Sequence, residues 1–303
     1  MIKRRTLLSA AGALLASPNL VLADQHERAP IRRPIPSSGE LLPVMGVGSS
    51  RTFDVSSGSD ILPRLIEVMR IFFANQGTLV DSSPMYGNAE TILGQILQSL
   101  DNAQSLFAAT KVWTYGAEAG IEQMQESSRR MAVPVFDLMQ IHNLRDWQLH
   151  LPTLRRWKEE GKIRYLGITT SHQRYHQELE DIMRKEPLDF VQFSYNIDNR
   201  KAEERLLPLA ADRGIATIIN RPYQKGALFK RSKGKPLPPL ARELGCESWG
   251  QFYLKFIIGH PAVTNLIPAT SKPHHMEDNM GANFGPVPDA AQRKEMIRIY
   301  ESL

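Results

Sequence analysis

Short apolar runs of four to eight residues recur along the chain, at 44–48, 78–82, 106–111, 136–142, 164–169, 190–195, 215–220 and 263–268. Between them the period changes. The stretch 60–74 sets Ile61, Leu65, Val68 and Phe72 on one face, and 88–100 does the same with Ile92, Leu93, Ile96 and Leu97. The first pattern predicts buried strands and the second amphipathic helices. Further helices are predicted at 120–131, 149–160, 172–185, 201–213, 249–258 (with Ser248 as its N-cap), 273–281 and from 289 to the end. Gly77, Gly161, Pro187 and Gly214 mark helix ends ahead of the next apolar run. Apolar strands alternating with helices argue for α/β architecture with a parallel sheet. About eight such units favour a closed (β/α)8 TIM barrel over an open sheet. No Gly-x-Gly-x-x-Gly follows the first strand, so a doubly wound dinucleotide fold has no support. Residues 31–43 alternate around Ser37-Ser38-Gly39, which predicts a short N-terminal β-hairpin able to close one end of the barrel. Residues 229–239 break the pattern with Lys, Gly and Pro and predict a long loop at the barrel mouth.

The first 23 residues follow neither pattern. Lys3, Arg4 and Arg5 precede a modest apolar run from Leu7 to Ala16, too short to span a bilayer core of ~30 Å. Val21-Leu22-Ala23 before Asp24 is a small-residue cleavage pattern. Residues 1–23 therefore predict a signal peptide, 24–30 a polar linker and 31–303 one barrel domain. Arg4-Arg5-Thr6-Leu7-Leu8 resembles the twin-arginine signal, which implies the twin-arginine export machinery as a partner, a periplasmic destination and no stable membrane anchor. The chain has 303 residues, 42% of them hydrophobic, enough for one large core. Its formal charge of +5 drops by three, to +2, without the basic leader. No basic run is interleaved with aromatics, so nucleic acid is not an expected partner. Cys246 is the one cysteine and cannot form an internal disulfide. No Cys/His group has metal-site spacing, and the side chains of adjacent His274 and His275 are expected to diverge, so no metal is expected. A monomer is the default expectation.

The candidate chemistry lies at strand ends. Asp81 and Lys111 close two of the apolar runs, His142 closes a third, and Tyr86 follows Asp81 by five residues. Barrel enzymes draw their catalytic groups from such positions. Taken singly, each has an ordinary role: a turn cap, a loop aromatic, a solvated strand end, a core histidine. Four together point to acid–base chemistry on a carbonyl. A phenol of ordinary pKa, about 10, is a poor proton donor near neutrality. A nearby ammonium lowers that value. Lys111 is the candidate, with Asp81 holding it in place and His142 hydrogen-bonding the substrate oxygen.

Asp81-x4-Tyr86-Gly87-Asn88-x-Glu90-x3-Gly94, with Ala109-Thr110-Lys111 and Gln140-Ile141-His142, resembles the aldo-keto reductases from about Val44 to Gly281. The resemblance implies a barrel that binds NADPH extended across its C-terminal face. It implies a catalytic tetrad of Asp81, Tyr86, Lys111 and His142, and reduction of a small-molecule aldehyde or ketone by hydride transfer, with Tyr86 as proton donor. It further implies that Thr169, Thr170 and Gln192 hold the nicotinamide carboxamide. Thr270, Ser271 and Lys272 would grip the adenosine 2′-phosphate, and Asn279 the adenine. There are three departures. Thr170 stands where the family usually has Asn. Asn220-Arg221-Pro222-Tyr223 stands where it reads Tyr-Ser-Pro-Leu, so the ring that stacks on nicotinamide is missing at Asn220 unless Tyr223 or another ring substitutes. His275 replaces an Arg at the 2′-phosphate and is a weaker anion partner. Asn220, Arg221 and His275 stay in the expected cofactor set by position, and NADPH is expected over NADH. Trp113, Trp147, Tyr223 and the stretch 229–239 are the expected pocket walls. The same resemblance extends to potassium-channel β subunits, so a non-catalytic cofactor-binding sensor or interaction module is the alternative.

Overall fold

The computed structural model describes residues 29–303. The expected leader, and all but the last two residues of the expected linker, lie outside the described residues. A hairpin comes first, β1 (Arg32–Pro34) pairing antiparallel with β2 (Leu41–Pro43). The chain then alternates: β3 (Val47–Gly48), α1 (Leu62–Ala74), β4 (Leu79–Asp81), α2 (Ala89–Gln98), β5 (Phe107–Val112), α3 (Ala117–Met131), β6 (Phe136–His142), α4 (Trp147–Glu159), β7 (Ile163–Thr169), α5 (His176–Lys185), β8 (Phe190–Ser194), α6 (Leu206–Arg213) and β9 (Ala216–Asn220). Two short helices, α7 (Leu228–Ser232) and α8 (Pro239–Glu243), precede α9 (Trp249–Ile258), β10 (Asn265–Leu266), α10 (Pro273–Gly281) and α11 (Ala290–Glu301).

Strands β3 to β10 form one parallel eight-stranded sheet in chain order. Its two edges meet. The Gly46 amide donates to the Leu266 carbonyl (2.9 Å), Leu266 to Val44 (2.9 Å) and Gly48 to Pro268 (3.2 Å). Gly46 makes this seam possible, because a Cβ there would lie 2.6 Å from Asn265 Oδ1 and 2.9 Å from the Leu79 carbonyl. The barrel explains the composition of its strands. Every residue of β5 is buried, as expected where helices cover one face and the barrel interior the other.

The hairpin plugs the N-terminal end. Its Ile35 and Leu42 pack with inward residues of the barrel, including Leu79, Phe107, Leu138, Tyr165 and Phe190. A larger apolar cluster lies between sheet and helices. Several helix limits follow local chemistry. Ser248 caps α9 by accepting the Gln251 amide (3.0 Å), and Gly214 stops α6 in the left-handed region with a φ of 63°. The stretch 229–239 is not one long loop, since it holds most of α7 and the start of α8. Leu228, Leu240 and Ala241 are buried in the core and anchor the two turns, and Pro239 suits the first turn of a helix.

Candidate active site

The C-terminal ends of β4, β5 and β6 converge on one ion pair. Lys111 is fully buried, and its Nζ donates to Asp81 Oδ2 (2.6 Å) and to the Ser82 carbonyl (2.6 Å). The second oxygen of Asp81 accepts Gln140 Nε2 (3.0 Å). A buried charge needs such a full set of partners. Lys111 Nζ lies 5.4 Å from the centroid of the Tyr86 ring, with one N–H left for the phenol.

Tyr86 sits on the turn after β4. That turn closes through Gly87, with a φ of 58°, and the Asn88 amide donates to Asp54 Oδ1 (2.9 Å). A Cβ at Gly87 would fall on the Asp54 carboxylate, so the turn requires glycine. The rings of Tyr86 and His142 meet edge to face, 5.6 Å between centroids. Burial raises the Tyr86 pKa above its ordinary value. Lys111 and Arg221 pull it down and Asp81 pushes it up. The lowering expected from Lys111 is therefore present but outweighed by desolvation. Burial, then Lys111 and Arg145, bring His142 down to about 2, so its imidazole is neutral at working pH. His142 Nδ1 lies 2.8 Å from Ser83 Oγ, which already accepts the Met85 amide (3.3 Å). With the serine hydroxyl donating to Nδ1, the ring hydrogen belongs on Nε2.

The next strands continue the site at the same height. His142 is in register with Thr169, and Thr169 with Gln192. Gln192 Nε2 is buried without a partner, a donor waiting for an acceptor such as a carboxamide oxygen. The sequence matches the profile of the Aldo/keto reductase family over residues 45–296. The chain belongs to that family.

Relatives agree with this at modest identity. The chain is 31% identical over 168 residues to an uncharacterized oxidoreductase of Schizosaccharomyces pombe, covering 53% of this chain and 51% of that one. It is 28% identical over 182 residues to the NADH-specific methylglyoxal reductase of Escherichia coli, covering 50% and 53%. The chain thus spans about half the length of these curated relatives. Among solved structures, an aldo-keto reductase from Klebsiella pneumoniae in complex with NADPH superposes with a TM-score of 0.72 at 20% identity, over 86% of this chain and 92% of that one. The glycerol dehydrogenase from Gluconobacter oxydans superposes with 0.74 at 20%, over 89% and 95%. At such identity the likeness is one of fold.

In this member of the family the remaining expected positions divide. Thr170 turns into its own loop, its Oγ1 accepting the His172 amide (3.2 Å). Asn220 ties three strand ends together, accepting Ser194 Oγ (2.5 Å) and donating to the Thr170 carbonyl (3.3 Å). Tyr223 does not supply the missing ring. Its hydroxyl donates to Asn279 Oδ1 (2.6 Å) and its ring packs on Phe229, 5.0 Å away, which sets it at the α10 side of the mouth. Arg221, at a left-handed φ of 52°, donates to Ser171 Oγ (3.0 Å) and lies near enough to Tyr86 to affect its ionisation. Thr270 Oγ1 accepts the Lys272 amide (3.1 Å) just before α10, with Ser271 half-buried and Lys272 exposed beside it. His275 is exposed, and burial, His274 and Lys272 lower its pKa. The rings of His274 and His275 do not diverge but touch, 4.4 Å apart. The rings of Trp113 and His142 lie 6.4 Å apart between centroids, which sets Trp113 beside the site, whereas Trp147 opens α4 and packs on the core. Two contributors escaped the sequence reading, Ser83 and Arg145, and Gln140 entered it only within a motif, without a role. Gln140 had a signal, because two residues before His142 on a strand means the same face.

Proposed function

We propose that this chain reduces aldehydes or ketones to alcohols with NADPH. The observation that carries the reading is the buried Asp81–Lys111 pair beneath Tyr86, beside a neutral His142. NADPH, when bound, supplies a hydride to the carbonyl carbon. His142 Nε2–H orients the carbonyl oxygen. Tyr86, kept protonated by its surroundings, gives that oxygen its proton. Lys111 stabilises the phenolate that remains, and Asp81 with Gln140 holds Lys111 in place. Gln192, with its unmet donor, and Thr169 at the same level would hold the carboxamide. Arg221, Thr270, Ser271, Lys272 and the N–H groups opening α10 suit phosphates. Asn279 and His275 complete that end, and neutral His275 leaves NADH as the lesser alternative. Solved neighbours in complex with NADPH support the choice.

The test is Tyr86→Phe. Carbonyl reduction, followed by loss of NADPH absorbance, should fall by a factor of about 10² or more, with cofactor affinity little changed. Unchanged turnover would remove Tyr86 from its role. Cofactor binding with no turnover on any carbonyl would favour the sensor reading, which the missing stacking ring at Asn220 supports.

We also propose export through the twin-arginine route, the barrel folding and loading cofactor before it crosses. The paired arginines Arg4-Arg5 support this. Arg4→Lys with Arg5→Lys should leave the protein in the cytoplasm. Unaltered periplasmic recovery would dismiss the route.

A further inference from the structure

We propose that Arg145 receives an anionic group of the substrate, so that this protein acts on aldehydes or ketones carrying a carboxylate or phosphate. The inference rests on the reductase reading above and deepens it. Arg145 lies three residues past His142, in the turn from β6 to α4. That turn holds three non-glycine residues in the left-handed region: Asn143 (φ 54°), Leu144 (57°) and Asp146 (46°). Such conformations persist only where the surroundings enforce them, and they gather at binding sites. Here Leu144 is buried, Asp146 Oδ2 accepts the Gly116 amide (2.9 Å) and the Arg145 amide donates to the His142 carbonyl (3.3 Å). These contacts set the backbone from which the Arg145 side chain leaves the turn. Its guanidinium lies 4.1 Å from the centroid of the Trp113 ring and 4.6 Å from that of Tyr115.

A guanidinium over ring faces keeps its in-plane N–H edge for an acceptor, which a flexible ammonium would not do. Among the described residues no side-chain or backbone acceptor takes that edge. Arg155, Arg164, Arg200, Arg205 and Arg293 each pair with a carboxylate, and no such ion pair holds Arg145 among the described residues. Asp81 is already engaged by Lys111. Trp113 links the two functions, since it lies under Arg145 and also faces His142 at 6.4 Å. A carbonyl oxygen on His142 would place a nearby anionic substituent of the same molecule along Trp113, toward Arg145. The position also separates Arg145 from the phosphates of the cofactor, which the turn after β9 and the start of α10 are set to receive. Arg221 on that turn feels Arg51, and Lys225 feels both.

The experiment compares kcat/KM for two charged and neutral pairs: 4-oxobutanoate against its methyl ester, and glyceraldehyde 3-phosphate against glyceraldehyde. A guanidinium–anion contact predicts a preference of about ten- to a hundredfold for the charged member of at least one pair, mostly in KM. The pair that shows it names the anion. Arg145→Met and Arg145→Gln should bring the ratio close to one, and Arg145→Lys should retain only part of it. NADPH titration confirms that each variant is folded. Wild-type reduction of the neutral members with no preference in either pair would overturn the proposal and leave the reductase reading intact. A preference that survives both neutral substitutions would overturn it as well. Failure to reduce any of the four compounds while another, uncharged carbonyl is turned over would overturn this inference alone, and no turnover on any carbonyl would overturn the reductase reading with it.

Discussion

At the scale of single residues, the two aromatic groups of the site are tuned by burial more than by charge. Tyr86 is raised above its ordinary value despite Lys111 and Arg221, so the phenol stays protonated through the neutral range. The rate of carbonyl reduction should therefore be flat near neutrality and fall only in strongly alkaline solution, as the phenol finally ionises. Lys111→Met removes a lowering influence and should push Tyr86 higher still, costing alcohol oxidation more than carbonyl reduction. Paired pH profiles in the two directions check both statements. An alkaline limb close to neutrality would contradict the first. His142, at about 2, should contribute no acid limb near the usual histidine value. The sequence made Asp81, Tyr86, Lys111 and His142 legible, because strand-end positions and spacing are local properties. It anticipated the lowering of Tyr86 by Lys111 but not the larger rise from desolvation, which depends on what packs around the phenol.

At the scale of elements, close approach is the governing quantity. Helices α2 and α3 touch at Gly94, where a Cβ would fall on the Arg130 carbonyl oxygen. Backbone cannot swing aside as a side chain can. Gly94→Ala should therefore cost about 1–3 kcal/mol, read as a lower urea midpoint with an unchanged slope. Next to it, Glu90 is fully buried and accepts Thr110 Oγ1 (2.6 Å) and Ser127 Oγ (3.1 Å), joining α2 to β5 and α3. The motif residues Glu90 and Gly94 thus serve packing, while Asp81 and Tyr86 serve the site. At the opening of α10, Lys272→Ala should weaken NADPH more than NADH, since only the former carries the 2′-phosphate. Equal losses in titrations of the two cofactors would place the phosphate elsewhere. Elements with strong local signals were read well from sequence: β6 spans 136–142, and α9 and α10 begin after Ser248 and at Pro273 as expected. The pair α7 and α8 was missed because each has only five residues, too few to show a helical period.

At the scale of the whole molecule, buried neutral histidines make stability depend on pH. His142 is held at about 2 and His260 at about 4, against 6.5 for an unperturbed histidine. As pH falls below that value the unfolded chain takes up protons that the folded chain refuses. Their contribution is complete above the unfolded value and is lost as pH drops through the acid range. Denaturant midpoints should therefore decline between about pH 7 and about pH 5, with the part due to His142 removed by His142→Gln. A midpoint constant across that range would show that the folded protein accommodates the charge.

The sequence by itself determined the alternation of strands and helices, the family and the four strand-end groups. These are properties of period, spacing and residue type, which a chain carries without being folded. Only the tertiary structure decided how those groups behave and which neighbours serve them. The barrel seam at Gly46, the partnering of Asp81 by Gln140 and the placing of Ser83 on His142 bring together residues from separate strands and turns. The same holds for the contact of Tyr223 with Asn279 and the seating of Arg145 over Trp113. Each depends on distances through space, and on the exclusion of water from a packed interior, which no local pattern encodes.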